Sequence, residues 1–382
     1  MAQRRTKVKA SASTKAKADA KANLKVNAKA TTKSKTRVAA NAGARTDAKT
    51  DANLKVSAAA QANAKTTAKA KANARARVEF VKTPRLTVAY HAWGDPGGEP
   101  VVLVHGFPDD AQGWRAVAES LAGRGYYALA PYLRGYGETR FLSEKTPRTA
   151  QQSELANDLK EFLEALAIPR AAVIGHDWGA RAAAGLAVLH PERVSSLTVL
   201  TGYLLYNILA NQAPGLPIRE SPTWYQWYFN TDRGVRGLER YRREIGRLLW
   251  TQWSPSWKFS GEQFESVADS WENSDFVKIV VHSYRHRYGN APTNQEFAED
   301  ELVLQTLPQV RVPSVVLFGE EDPMEPPEDW EKQKQRWPED TRHLVVANAG
   351  HFMQHEQPEI VVGEFLRLEE RARGKKKVAG AG

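Results

Sequence analysis

The segment GHDWGA at residues 175–180 has the residue types and spacing of a turn that exposes a nucleophile. Gly175 and Gly179 each lie two positions from Asp177, after an apolar run and before a helical pattern. Flanking glycines permit the tight strand-to-helix turn on which hydrolases present a reactive side chain. A carboxylate there is ionised at neutral pH and can attack an sp3 carbon without a base, which forms an alkyl ester on Asp177. The alternative interpretation of so short a pattern is an aspartate that caps the following helix.

Hydrolysis of such an ester requires a base that deprotonates water and a second acid that orients the base. The candidate base is His351 in NAGHFMQHEQPE, because it follows a late predicted strand through an Ala-Gly turn. His176 adjoins Asp177 but should point away from it across the turn, and His355 is expected at the surface. The chain order of nucleophile, acid and histidine makes Asp322 in VLFGEEDPMEPP the candidate acid. Three nearby acids compete with it: Glu320, Glu321 and Glu325.

The segment HGFP at 105–108 follows an early apolar run and is predicted to form a tight turn. Such a turn can aim the backbone N–H of Phe107 into the site, with the N–H of Trp178 as the second donor. Two N–H donors are suited to the oxyanion that forms during ester hydrolysis. The alternative is a turn that only packs its aromatic side chain.

Short apolar, β-rich runs alternate with helical patterns from about residue 85 onwards. The predicted strands are 86–90, 101–104, 127–130, 171–174, 197–200, 314–318 and 343–347. Helical patterns lie between them, for example at 151–167 and 180–189. Nearly continuous apolar strands separated by helices predict an α/β fold with a mostly parallel sheet covered on both faces.

The region 203–309 departs from this alternation, because the strand signal disappears and Trp, Tyr and Phe become dense. We predict a helical cap, inserted between two strands and lying over the strand ends where ligands bind. The predicted division of the chain is a basic tail at 1–77, the first part of the core at 78–202, the cap at 203–309, the second part of the core at 310–370 and a flexible end at 371–382.

The tail at 1–77 has no aromatic residue and carries 20 Lys and Arg against three Asp, a net charge of +17 that leaves the rest of the chain at −7. It has too few bulky apolar groups to offset the entropy of ordering, so we predict disorder in isolation. One interpretation is an arm that binds nucleic acid or another polyanion. A solubilising spacer is the equal alternative, and the excess of Lys over Arg disfavours an organelle transit peptide.

No apolar run approaches the roughly 18 residues that a membrane-spanning helix needs, and the start MAQRRTKVKA lacks the apolar stretch of a secretory signal. The chain has no cysteine, which excludes disulfides, thiolate nucleophiles and Cys-ligated zinc. We therefore expect a soluble cytoplasmic protein.

Four blocks agree in order and spacing with one known family: HGFP at 105–108, RGYG at 134–137, GHDWGA at 175–180, and the pair Asp322 and His351. Over about residues 85–368 the chain resembles the α/β-hydrolase superfamily, in the branch whose nucleophile is aspartate. That branch contains epoxide hydrolases, haloalkane dehalogenases and fluoroacetate dehalogenases. The resemblance implies an α/β-hydrolase fold with a helical cap, and a reaction that needs neither a metal nor an organic cofactor.

The leaving group separates the members of this branch. An opened epoxide is an alkoxide that must be protonated, whereas a departing halide needs only N–H donors. Epoxide hydrolases supply the proton from two cap tyrosines, in Y-Q-x-Y-F and W-Y-R-like blocks. The chain contains YQWYF and, later, SYR, so the resemblance implies that Tyr225 and Tyr284 are these acids. It also implies substrate contacts for His105, Gln226 and Trp227, while packing in an aromatic-rich cap is the alternative for both tyrosines.

We therefore expect an epoxide hydrolase that acts on a small-molecule substrate. The alternative is a dehalogenase acting on a haloalkane or haloacid. Haloalkane dehalogenases usually place Asn where Phe107 stands, and fluoroacetate dehalogenases carry Arg at the position of Trp178, so both are disfavoured. A third alternative is a non-catalytic protein whose degenerate hydrolase body is delivered to a polyanion by the tail.

Overall fold

The computed structural model describes residues 76–324 and 330–379, with side chains up to residue 374. The predicted basic tail, apart from its last two residues, lies outside the described residues, and so does Glu325.

Within the described residues a single sheet of nine strands organises the fold. The strands are β1 (Arg77–Lys82), β2 (Leu86–Trp93), β3 (Glu99–Val104), β4 (Tyr126–Pro131), β5 (Arg140–Phe141), β6 (Ala171–His176), β7 (Val194–Leu200), β8 (Ser314–Gly319) and β9 (Arg342–Val346). Their order across the sheet is β1-β2-β4-β3-β6-β7-β8-β9, with β5 beside β2. The strands from β4 to β9 along this order are parallel, whereas β1 and β5 pair with β2, and β2 with β4, in antiparallel fashion.

Helices follow most of the strands. They are α1 (Arg115–Ala122), α2 (Gln152–Ala165), α3 (Trp178–Leu189), α4 (Ile208–Asn211), α5 (Pro217–Glu220), α6 (Trp224–Phe229), α7 (Asp232–Trp253), α8 (Gly261–Ala268), α9 (Phe276–Arg287), α10 (Ala298–Gln305), α11 (Trp330–Gln333), α12 (Met353–Glu356) and α13 (Pro358–Ala379). Within the described ranges, none of these helices has the length and apolar character needed to cross a membrane.

The inner strands explain why this sequence forms a covered parallel sheet. Every residue of β6 and of β8 is buried, as expected where helices cover both faces. The predicted α/β fold is therefore confirmed, and the seven predicted strands correspond to β2, β3, β4, β6, β7, β8 and β9. The edge strand β1 and the two-residue β5 escaped prediction, because β1 is only partly buried on one face and β5 is too short for a periodic pattern.

The helices α4 to α10 lie between β7 and β8, where the sequence predicts the inserted cap. At the far C-terminal end, α13 continues to Ala379, so residues 371–379 of the predicted flexible end have a helical backbone. Phe365, Leu368 and Ala372 are buried at helical spacing, which holds this part of the helix against the sheet.

The parallel strands bring distant parts of the chain to one edge of the sheet. The loops after β3, β6, β8 and β9 leave the same edge, because the carboxyl ends of parallel strands coincide. These loops carry Phe107, Asp177, Asp322 and His351, so the fold gathers the candidate residues from four separate segments.

Candidate active site

Asp177 lies on a sharp turn between β6 and α3. Its backbone has φ 50° and ψ −117°, a left-handed conformation that is strained for a residue with a side chain. Close packing explains the following glycine, because a Cβ on Gly179 would lie 2.0 Å from the carbonyl oxygen of Val104. The Asp177 carboxylate makes no capping hydrogen bond to α3, so the helix-cap interpretation finds no support. The turn presents a buried carboxylate at the end of a central strand.

One backbone N–H group donates to this carboxylate, and a second lies close by. The N–H of Phe107 donates to Asp177 Oδ1 at 2.8 Å, and the Phe107–Pro108 peptide is cis. A Cβ on Gly106 would lie 2.4 Å from Asp177 Cβ and 2.7 Å from the backbone nitrogen of Trp178. The HGFP turn and the turn that carries Asp177, which we call the elbow, are therefore in direct contact. Trp178 is the first residue of α3, and the helix itself does not use its N–H. Both predicted oxyanion donors therefore lie beside the Asp177 carboxylate.

His351 and Asp322 form a buried pair, as their chain positions predict. His351 Nδ1 lies 2.9 Å from Asp322 Oδ2, and both side chains are nearly inaccessible to solvent. The backbone N–H of His351 donates to the carbonyl of Trp253, whose ring packs 5.0 Å from the imidazole. His176 Nε2 donates to the backbone carbonyl of His351 at 2.8 Å. Because His176 immediately precedes Asp177, this bond fixes the histidine loop beside the elbow.

The competing acids and histidines occupy other positions. Glu320 is exposed and Glu321 is only partly buried. His355 pairs with Asp109 at 3.1 Å instead of lying at the surface. Burial alone would raise the pKa of Asp109, but the charges and hydrogen bonds of His355, His176 and Gln354 together lower that pKa to about 2. This second pair ties the loop after β3 to α12.

Two tyrosines from the cap lie over the nucleophile loop. Tyr225 on α6 and Tyr284 on α9 are each 1% exposed, and their rings meet edge to face at 5.1 Å. The ring of Phe107 lies 5.7 Å from Tyr225 and 5.6 Å from Tyr284. Burial raises the pKa of both phenols above the ordinary value, and the charge of Asp177 raises it further. Both tyrosines therefore keep their protons in the resting site.

Each of these phenol oxygens accepts a hydrogen bond from an N–H group. Gln226 Nε2 donates to Tyr225 Oη at 3.0 Å, and Trp178 Nε1 donates to Tyr284 Oη at 3.1 Å. A phenol oxygen that accepts an N–H directs its own O–H proton elsewhere. This arrangement suits two proton donors, which packing alone would not require.

The three residues for which we expect substrate contacts have different surroundings. His105 uses both ring nitrogens, since Nδ1 donates to the Gly106 carbonyl at 3.1 Å and Nε2 accepts the N–H of Leu133 at 3.1 Å. Burial lowers the pKa of His105 to about 4, so it is a neutral residue that holds the turn. Trp227 is 37% exposed and points outwards. Gln226 is buried, and its amide hydrogen-bonds the side chains of Tyr225, Arg287 and Tyr288.

The wall of the site contains aromatic residues that the motifs did not single out. Five rings lie within 6.4 Å of the Phe107 ring, centroid to centroid: Trp178, Tyr225, Phe229, Phe276 and Tyr284. Phe229 ends the YQWYF block, and the density of aromatics in the cap was the available signal for both phenylalanines. The Asp177 carboxylate therefore lies buried beside a cluster of aromatic rings.

The class of protein follows from the whole chain. Residues 99–358 match the family model of the alpha/beta hydrolase fold. The match spans more than half of the sequence, and the chain belongs to the alpha/beta hydrolase fold family.

Similar proteins narrow this class. An epoxide hydrolase from Caballeronia sordidicola is 25% identical over 301 residues, which are 74% of this chain and 90% of that protein. Epoxide hydrolase A of Mycobacterium tuberculosis is 25% identical over 309 residues, 72% of this chain and 91% of that protein. A crystal structure of a provisionally assigned epoxide hydrolase from Klebsiella pneumoniae has a TM-score of 0.74 and 34% identity, and covers 77% of this chain and 97% of that chain. The predicted resemblance to the epoxide hydrolase-like branch is thus confirmed.

Proposed function

We propose that this protein hydrolyses a small-molecule epoxide to a vicinal diol through an alkyl ester on Asp177. The observation that carries the proposal is the pair of buried cap tyrosines, each of whose oxygens accepts an N–H bond. Similarity to epoxide hydrolases over most of their length supports it.

In the first step, a carboxylate oxygen of Asp177 attacks one carbon of the epoxide and the bond from that carbon to the ring oxygen breaks. The departing oxygen develops negative charge, and Tyr225 and Tyr284 donate hydrogen bonds to it and supply its proton. The burial of Asp177 and of both tyrosines favours this step, because hydrogen bonds to a developing charge are stronger where water is excluded.

In the second step, His351 takes a proton from water, and the resulting hydroxide attacks the ester carbonyl of Asp177. Asp322 accepts a bond from His351 Nδ1, which leaves Nε2 as the basic nitrogen and stabilises the imidazolium that forms. The N–H groups of Phe107 and Trp178 hold the oxyanion of the tetrahedral intermediate. Its collapse breaks the bond between the carbonyl carbon and the diol oxygen, and that oxygen takes the proton from the His351 imidazolium. The proton left on the Asp177 carboxyl returns to the tyrosine that was deprotonated in the first step, which restores the site.

The alternative is a dehalogenase that uses the same nucleophile. A halide is stabilised by N–H donors, but the indole N–H of Trp178 already donates to Tyr284 Oη, and Phe107 offers no side-chain donor. The contacts therefore favour a leaving oxygen over a leaving halide.

A panel of epoxides with diol detection, run beside a panel of haloalkanes and haloacids with halide detection, separates the two functions. We expect diol from at least one epoxide, and Tyr284→Phe should lower that rate about 10-fold or more through loss of a proton donor. Release of halide with no diol, and at a rate that Tyr284→Phe leaves unchanged, would establish the dehalogenase instead.

A further inference from the structure

We propose that Arg287 is a positioning residue that acts through Gln226 to strengthen Tyr225 as a proton donor. The inference rests on the proposed function, and it assigns a part in ring opening to two residues outside the predicted catalytic set.

A continuous series of hydrogen bonds, which we call the relay, runs from Arg287 through Gln226 to Tyr225. Arg287 Nη1 donates to Gln226 Oε1 at 3.1 Å, and Gln226 Nε2 donates to Tyr225 Oη at 3.0 Å. The hydroxyl of Tyr288 also donates to Gln226 Oε1, at 2.7 Å. The amide is 2% exposed, so it exchanges none of these partners with bulk water.

The donors fix the orientation of the Gln226 amide. A guanidinium group has only N–H donors, so the amide atom facing Arg287 has to be the oxygen. The amide nitrogen therefore faces Tyr225 and donates to its oxygen. Tyr225 in turn cannot direct its O–H proton at Gln226. Its hydroxyl also hydrogen-bonds that of Tyr284, and an epoxide oxygen above Asp177 would replace this contact.

The guanidinium of Arg287 directs its positive charge at the Gln226 amide. Among the described residues Arg287 forms no ion pair, whereas the neighbouring Arg285 lies 3.7 Å from Asp232. The Arg287 guanidinium packs instead over the ring of Tyr206, 5.3 Å from its centroid. A cation that donates to one end of an amide strengthens the bond made by the other end, and the effect is larger where water is excluded.

Trp227 receives a role in this arrangement. Its ring packs at a tilt of 35° on the ring of Tyr288, with a centroid distance of 4.1 Å. Because the Tyr288 hydroxyl donates to Gln226, we infer that this ring pair shields the amide from solvent and lowers the dielectric around the hydrogen bonds. The exposure of Trp227 thus fits a cover over the relay better than a substrate contact.

The relay acts mainly in the transition state of ring opening. Before reaction Tyr225 is neutral and gains little from a nearby positive charge. As its proton moves to the departing oxygen, negative charge grows on Tyr225 Oη, and the polarised amide N–H stabilises it. Tyr284 receives its direct bond from a neutral indole, so the relay makes Tyr225 the stronger acid of the two.

The test isolates ring opening in a chain that carries His351→Gln, where the ester forms but does not turn over. Rapid quenching and mass spectrometry then give the rate of ester formation with a reactive epoxide. We expect Arg287→Met to slow it about 10-fold or more. In chains that keep His351, the decay of the ester should be the same with Arg287 or Met. A loss confined to alkylation is the outcome that a general disturbance of the cap does not give.

Chemical rescue separates charge from packing. In Arg287→Ala, millimolar guanidinium should restore part of the alkylation rate, whereas the same concentration of urea, a neutral molecule of similar shape, should not. Gln226→Glu provides a second, nearly isosteric variant. Its carboxylate would pair with Arg287 and accept a hydrogen bond from the Tyr225 hydroxyl, which would turn that proton away from the epoxide. Alkylation should therefore slow again, while thermal stability is kept.

Alkylation at the parent rate in Arg287→Met, or equal rescue by guanidinium and urea, overturns the inference. Equal losses in alkylation and ester decay also overturn it, because they indicate a structural role. If the His351→Gln parent forms no ester with any epoxide, the proposed function fails first and the inference fails with it, which is a distinguishable result.

Discussion

At the scale of single residues, the proposed chemistry depends on a buried nucleophile, a buried acid–histidine pair and two buried tyrosines. The positions of Asp177, Asp322 and His351 could be predicted because each follows a strand and the role proposed for each needs one residue type. The contacts of Gln226 and Trp227 could not, since neighbours in a helix point in different directions and only the packed cap shows which one faces inwards. Gln226 turns to Tyr225, whereas Trp227 faces solvent.

The pair of Asp322 and His351 leads to a prediction about individual steps. Asp322→Asn should leave ester formation nearly unchanged, because Asp177 needs no base. Hydrolysis of the ester should slow about 10²- to 10⁴-fold, because the amide no longer fixes the imidazole tautomer or stabilises its charge. Single-turnover kinetics measure both steps.

The control for this prediction is Glu320→Gln, in the same loop but exposed to solvent, which should affect neither step. An Asp322→Asn variant that hydrolyses its ester at the normal rate would show that another acid orients His351.

At the scale of elements, the site depends on the close approach of α3 to β3. The motif predicted the turn, and the structure adds the reason that its second glycine is needed. The cap was predicted as a region only. The order and boundaries of its short helices could not be predicted, because a chain rich in aromatics packs in many ways and tertiary contacts decide among them.

A methyl group at Gly179 tests this close approach. Its Cβ would lie 2.0 Å from the carbonyl oxygen of Val104, which neither backbone can relieve without moving. We expect Gly179→Ala to lower the free energy of unfolding by about 3 kcal/mol, measured by urea denaturation, and to reduce activity.

Gly363→Ala on α13 is the matched control, because no atom lies within 4 Å of its added Cβ. That substitution should be neutral or stabilise the fold by up to about 1 kcal/mol, through helix propensity. Equal effects of the two substitutions would mean that the contact at Gly179 does not limit the turn.

At the scale of the whole molecule, the sequence divides into a basic N-terminal part and an acidic remainder. The first 77 residues carry +17 and the remainder carries −7. The catalytic blocks all lie in the acidic part, so the sequence separates a candidate enzyme from a candidate polyanion-binding arm. The alternation of strands and helices predicted a mostly parallel sheet but not the order of its strands. Local sequence patterns do not determine which distant strands pair.

The tail prediction concerns binding rather than catalysis. The full chain should be retained on DNA at low salt and released as salt rises, whereas a chain that starts at Val78 should not be retained. Both should convert epoxide at similar rates. Retention of the shortened chain would place the binding surface in the acidic body and contradict the prediction.

In the proposed reaction, an epoxide alkylates Asp177 covalently. The most direct measurement is mass spectrometry of the His351→Gln variant after incubation with reactive epoxides, followed by peptide mapping. We predict a mass increase equal to one epoxide on the peptide that contains Asp177, and no increase in the double variant that also carries Asp177→Asn. An unmodified protein with every epoxide, or an adduct on a different residue, would contradict it.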